Sequence, residues 1–150
     1  MEQRVFNPKV KIMFNKNKFL KADFTEREAY IEKLNKCKED IEETLPFENL
    51  REQIEALVSA YNTVVDDARG WVESIYERME ETRGERSDEY WETETGEAVD
   101  SWYSEWESVE LEMIEIEALG DLDNEQIREE FFNFSWGAID TLEELPTEAY

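Results

Sequence analysis

The apolar positions first recur in the manner of a hairpin. Residues 10–14 and 19–24 are rich in Val, Ile, Phe and Leu, and they flank the polar turn Asn15-Lys16-Asn17-Lys18. Two short strands are expected there, with Pro8 marking the entry. A lone hairpin is marginal in water, so it has to lean on something else. The period then changes. Thr25-Glu26-Arg27-Glu28 is a capping-box pattern, in which hydroxyl and carboxylate each satisfy a free backbone donor at a helix start. Behind it Tyr30, Leu34, Cys37, Ile41 and Leu45 recur at helical spacing until Pro46 stops the helix.

The longest pattern follows. Phe47, Leu50, Ile54, Leu57, Tyr61, Val64, Ala68, Trp71 and Ile75 alternate by three and four residues, with Met79 beyond. A heptad sustained this far predicts a long supercoiled helix, with a partner helix from the same chain or from a second copy. At 1.5 Å per residue it runs on the order of 50 Å, which favours a homodimer. Arg83-Gly84 ends it. Ser87 is a good N-cap with Asp88 and Glu89 in the first turn. Gly96 is expected to interrupt the next helix, after which Val99, Trp102, Trp106, Val109, Met113 and Ile116 restore helical spacing up to a cap near Gly120. Asp123-Asn124-Glu125-Gln126 opens a last helix carrying Ile127, Phe131, Phe134, Ala138, Leu142 and Leu145. The fold expected is all-α: a helical bundle over residues 25–150 with one long heptad helix, and an N-terminal hairpin or arm over residues 1–24. Together these form a single domain.

Composition narrows the function classes. The net charge is −24, yet 40% of the 150 residues are hydrophobic and 13% aromatic, so the chain is expected to fold and not to behave as an acidic tail. No apolar run is long enough for a membrane span, and the first residues lack the apolar core of a signal peptide. Cys37 is the single cysteine and there is no histidine. That removes internal disulfides, soft-metal sites and Ser-His-Asp or Cys-His catalysis. No catalytic residue, metal or cofactor is expected, and the protein reads as a non-enzyme of a reducing cytoplasm.

The charge is also uneven. Residues 1–22 hold six Lys or Arg against Glu2, a balance of +5, and residues 87–150 hold 21 Asp or Glu against Arg128, a balance of −20. Such a field repels nucleic acid and membranes and attracts basic partners. From Asp88 to Glu117 there are twelve carboxylates and no Lys or Arg. As a helix this span offers one charge per roughly 4 Å, close to the one phosphate per about 3.4 Å of a DNA strand. Like charges at helical spacing cost a few tenths of a kcal/mol each, so the run is either a generic solubilising face or a polyanion with a purpose. Trp102 and Trp106 lie on the apolar stripe and are expected in the core. Trp91 and Tyr103 fall off it and are the better candidates for exposed contacts, beside a reading of both as packing residues.

Two resemblances attach to these residues. Glu77-x-x-Glu80 followed by Glu97-x-x-Asp100 is similar to the paired acidic motifs of all-α nucleotide pyrophosphatases related to MazG and dimeric dUTPases, a likeness of four residues. It implies Mg²⁺-dependent nucleotide hydrolysis. Arg86, Ser87, Asp88, Trp91, Gly96, Glu97, Trp102 and Glu107 resemble a short module of small tailed-bacteriophage proteins, about 22 residues long. This second likeness implies a phage source. By analogy of class it points to a DNA-mimicking inhibitor acting in the host bacterial cytoplasm. Its partner would be the basic surface of a host defence protein (anti-restriction or anti-CRISPR type) or of a DNA-processing protein. The partner-binding residues expected are Asp88, Glu89, Trp91, Glu92, Glu94, Glu97, Asp100, Tyr103, Glu105, Glu107, Glu110 and Glu112. A phage scaffolding role built on the heptad helix is the alternative, with the pyrophosphatase behind it.

Overall fold

The computed structural model describes residues 17–115 and 119–149. In chain order they form α1 (Lys21–Thr44), α2 (Leu50–Gly84), α3 (Asp88–Trp91), α4 (Glu94–Glu107), a 3-10 turn (Leu119–Asp121), α5 (Asn124–Phe132) and α6 (Gly137–Glu144). The protein is all-α, and the described residues contain no strand beyond one isolated antiparallel bridge, Lys18 with Glu148.

The expected hairpin is corrected. Residues 10–14 lie outside the described residues, and most of the second strand is the first turn of α1. Asp23 explains the earlier start, because its carboxylate accepts the Leu20 N–H at 2.9 Å and so serves a donor that the helix leaves free. A carboxylate in the first turn also suits the positive end of the helix dipole. Thr25 to Glu28, expected to open this helix, lie inside it.

Helix α2 runs for 35 residues as the spacing predicts, although Phe47 stays outside it and 54% exposed. Its buried apolar positions are Leu50, Ile54, Tyr61, Val65, Ala68, Trp71, Val72, Ile75 and Met79. Val65 replaces the expected Val64, and Trp71 and Val72 are both inside. That is the broad stripe of a helix in a globular core, wider than the narrow seam of a two-stranded coiled coil.

Two further expectations change. The helix expected through Ile116 stops at Glu107, and residues 109–115 have no regular secondary structure. The single last helix is two, α5 and α6, parted at Trp136, whose φ of 54° places it in the left-handed region. That turn brings the Trp136 indole inward against Tyr61, with centroids 5.4 Å apart, and against Phe131 at 6.0 Å. The capping box at the start of α5 is present with both halves. Gln126 N–H donates to Asp123 at 2.8 Å, and Asp123 N–H donates to the Gln126 side chain at 2.9 Å.

The chain divides into two compact units. The first comprises Met1–Phe24, Gly70–Val109 and Leu145–Tyr150. Its core is aromatic: Phe19, Trp71 and Trp106 meet with centroids 5.3 to 6.2 Å apart. The second comprises Thr25–Arg69 and Glu110–Glu144, with Leu34, Ile41, Ile54, Tyr61, Ile127 and Leu142 at its centre.

Candidate partner-binding face

The acidic stretch is built on two consecutive N-caps. The Ser87 hydroxyl accepts from Tyr90 N–H at 3.2 Å and starts α3. After four residues the chain turns, and the Thr93 hydroxyl accepts from Gly96 N–H at 3.0 Å to start α4. The break therefore falls at Glu92 and Thr93, before Gly96. Gly96 sits in the first turn of α4 for a steric reason: a Cβ there would lie 2.1 Å from the Tyr90 carbonyl oxygen. Only glycine lets α3 close so tightly on α4.

The inner side of α4 anchors it. Val99, Trp102, Tyr103 and Trp106 are buried. Both indole N–H groups donate to one acceptor, the Pro146 carbonyl, at 2.8 Å each. Buried indoles need such partners, and here they also hold the C-terminal segment of this unit. Tyr103, expected at an exposed margin, is fully buried, and its burial pushes the phenol pKa up. The cause is α3, whose Trp91 ring covers Tyr103 at 6.0 Å. Folded back in this way, α3 widens the inward arc of α4 beyond the Trp102 and Trp106 stripe. Trp91 itself is half-buried, with the Arg83 guanidinium 4.9 Å from its ring centre.

The carboxylates fall into three groups. Asp88, Glu89, Glu92, Glu94, Glu97 and Glu105 are exposed, and none makes an ion pair among the described residues. Asp100 and Glu107 also reach the surface but are tied to α2. Arg83 donates to Asp100 at 2.8 Å and to Glu80 at 3.2 Å, and Tyr76 O–H donates to Glu107 at 3.1 Å. Tyr76 and Arg83 are seven residues apart on α2, and their partners are seven apart in the opposite direction on α4, the register of antiparallel helices. Burial, the bond to Glu107 and the charges of Glu80 and Glu107 push the Tyr76 phenol up to about 12. Glu110 and Glu112 are exposed but belong to the second unit and to its irregular segment, so the twelve expected residues do not make one helical strip.

Arg83 and Arg86 are what reading along the chain missed. They precede the acidic run in sequence but enter it in space, Arg83 at Asp100 and Arg86 at the Tyr90 hydroxyl, 2.7 Å away. The legible signal was the position of Arg83 three residues after Glu80 on one helix. The same guanidinium bears on the paired acidic motifs, because it bridges Glu80 and Asp100. Among the described residues no group of three or more Asp, Glu, Cys or His is arranged to hold a metal ion. Nor is any described helix long and apolar enough to cross a membrane. Compared with family models, with curated proteins and with solved structures, the chain matches none.

Proposed function

We propose that this is a phage-encoded acidic inhibitor that docks on a basic, DNA-binding surface of a host defence or DNA-processing protein in place of DNA. One observation carries the reading. Six exposed carboxylates with no ion pair among the described residues stand on α3, on α4 and in the turn between them, and the inner side of α4 is fixed by buried Trp102 and Trp106. A fixed polyanion meets a basic channel with little ordering cost and releases the counterions of both surfaces, as DNA does. The cost of such a cluster to the fold, a few tenths of a kcal/mol per like-charge pair, argues for a use. Trp91, half-buried beside Arg83, supplies an aromatic edge at the margin of the charged face. The nucleotide pyrophosphatase reading loses support, since Arg83 engages Glu80 and Asp100, two of the four carboxylates that would hold a Mg²⁺ ion.

The test is capture from lysate of the bacterial host on immobilised protein, washed at rising salt, with duplex DNA as competitor. A DNA-binding protein that elutes at a few tenths molar salt, and that DNA displaces, is expected. Changing Asp88 to Asn and Glu89, Glu92, Glu94, Glu97 and Glu105 to Gln should abolish capture while the fold is kept. Retention by that variant would end the proposal.

A further inference from the structure

The second unit exposes aromatic surface that no part of the acidic-strip reading uses. Phe132, the last residue of α5, is 87% exposed, and Phe47, between α1 and α2, is 54% exposed. A phenyl ring left in water forgoes the favourable transfer that burial brings, so two on adjoining elements of one unit call for an explanation. One side chain connects them. Arg128, one helical turn before Phe132, donates to the carbonyls of Leu45 at 2.5 Å and Phe47 at 3.2 Å, and to Glu125 at 2.6 Å. Asn124, the first residue of α5, adds a bond from its amide to the Glu48 carbonyl at 2.9 Å, so the loop that bears Phe47 is held against α5 by two side chains of that helix. On its other side Phe47 forms, with Leu57, the apolar part of an open depression of about 500 Å³, whose remaining lining is Asp40, Glu43, Thr44 and Gln53.

Charge selects the occupant. Glu43, Glu48, Glu129 and Glu130 are exposed around these rings, and none has an ion pair among the described residues. Two cations border these groups, and both are engaged: Arg128 on two carbonyls and Glu125, and Lys36 on Asp40 at 2.8 Å. A second copy of this chain, itself at −24, would set the same carboxylates against one another. A nucleic acid or an anionic membrane would be repelled likewise. We propose that Phe132, Phe47 and the adjoining depression dock a basic amphipathic helix of a partner protein. Its apolar side chains would cover the two rings, and its Lys or Arg groups would meet Glu43, Glu48, Glu129 and Glu130.

A fluorescein-labelled 18-residue peptide of Leu and Lys in helical register is the probe, measured by anisotropy in about 0.3 M salt to screen diffuse attraction. A peptide of equal charge with Ser in place of Leu is the control. Phe132→Ser should weaken the Leu/Lys peptide about tenfold and Phe47→Ser several-fold, since interface aromatics carry a large share of binding. The control peptide should bind more weakly and ignore both substitutions. Exposed as they are, neither change should alter the circular dichroism spectrum. The six-amide variant of α3 and α4 should keep most of the Phe132-dependent binding, so this proposal and that for the acidic strip fail separately. Equal binding to wild type and both Phe variants, or equal binding of the two peptides, overturns the proposal in favour of diffuse attraction. A wild-type dimer in sedimentation that Phe132→Ser converts to monomer overturns it in favour of a second copy.

Discussion

Residues 94–107 and 108–115 adjoin in the chain, carry similar acid density and continue one helical spacing of apolar residues, yet only the first is a helix. In α4 the backbone satisfies itself, and the tryptophans bury a face. In the irregular segment the backbone is satisfied from outside. The Asn62 amide grips the Ile114 peptide on both sides, donating to its carbonyl at 3.1 Å and accepting its N–H at 2.8 Å. Arg69 forks onto the Leu111 carbonyl at 2.9 and 2.6 Å. Both side chains come from α2 and stand in for the ladder that a neighbouring strand would supply. The difference is between an element held by apolar burial and one held by a few polar side chains, and the two should fail in different ways.

The largest effect is expected on the helical side. Trp106→Ala removes a fully buried indole, its contacts with Phe19 and Trp71, and one of two donors to Pro146. A loss of about 3–5 kcal/mol follows, read as a lowered urea midpoint. A shift below 1 kcal/mol would show that α4 is not held by its tryptophans. Asn62→Leu comes next. It strands a donor and an acceptor of Ile114, at about 2 kcal/mol in total. The loss should concentrate in residues 109–115, where hydrogen exchange at Ile114 rises while the amides of residues 99–106 keep their protection. Uniform loss of protection along both regions would contradict the distinction.

The same contrast sets how much was legible beforehand. Caps were readable, because Ser87, Asp123 and Gln126 act through bonds spanning three residues. The long helix was readable too, because its stripe is broad enough to survive a one-residue error at Val64 and Val65. The end of α4 was not. Val109-Glu110-Leu111-Glu112-Met113 alternates apolar and polar, a period of two that marks an extended segment, but Trp102, Trp106, Val109 and Met113 also satisfy a helical count. What decides between the two periods is Asn62 and Arg69, more than 40 residues away in sequence. The candidate site was legible as charge, and its ten carboxylates are all exposed. Its trimming was hidden, because Tyr76 and Arg83 reach Glu107 and Asp100 only once two helices lie antiparallel.

The smallest effect falls at the junction of the two regions, and it shows in titration more than in stability. Glu107 ends α4, where the helix dipole disfavours an anion, and the Tyr76 hydroxyl offsets that by donating to it. In Glu107→Gln the lost charge-assisted bond and the relieved dipole act in opposite directions, so the thermal midpoint should barely move. The phenol responds in one direction only. Its folded pKa of about 12 stands above the ordinary 10, so the neutral form is favoured by folding. Its contribution to stability is whole below pH 10 and is lost as pH rises towards 12. Burial is the largest cause and stays in the variant, as does the nearby charge of Glu80, so the Tyr76 pKa should fall part of the way back. Tyr61, also raised to about 12, owes this to its burial and to charges at Cys37, Asp140 and Glu112, and it should keep its value. A 295 nm difference titration of wild type against Glu107→Gln should therefore show about one tyrosine ionising earlier between pH 10 and 12. Coincident curves would mean that the Tyr76 to Glu107 bond does not form in solution, and with it would go the antiparallel register that ties the end of α4 to α2.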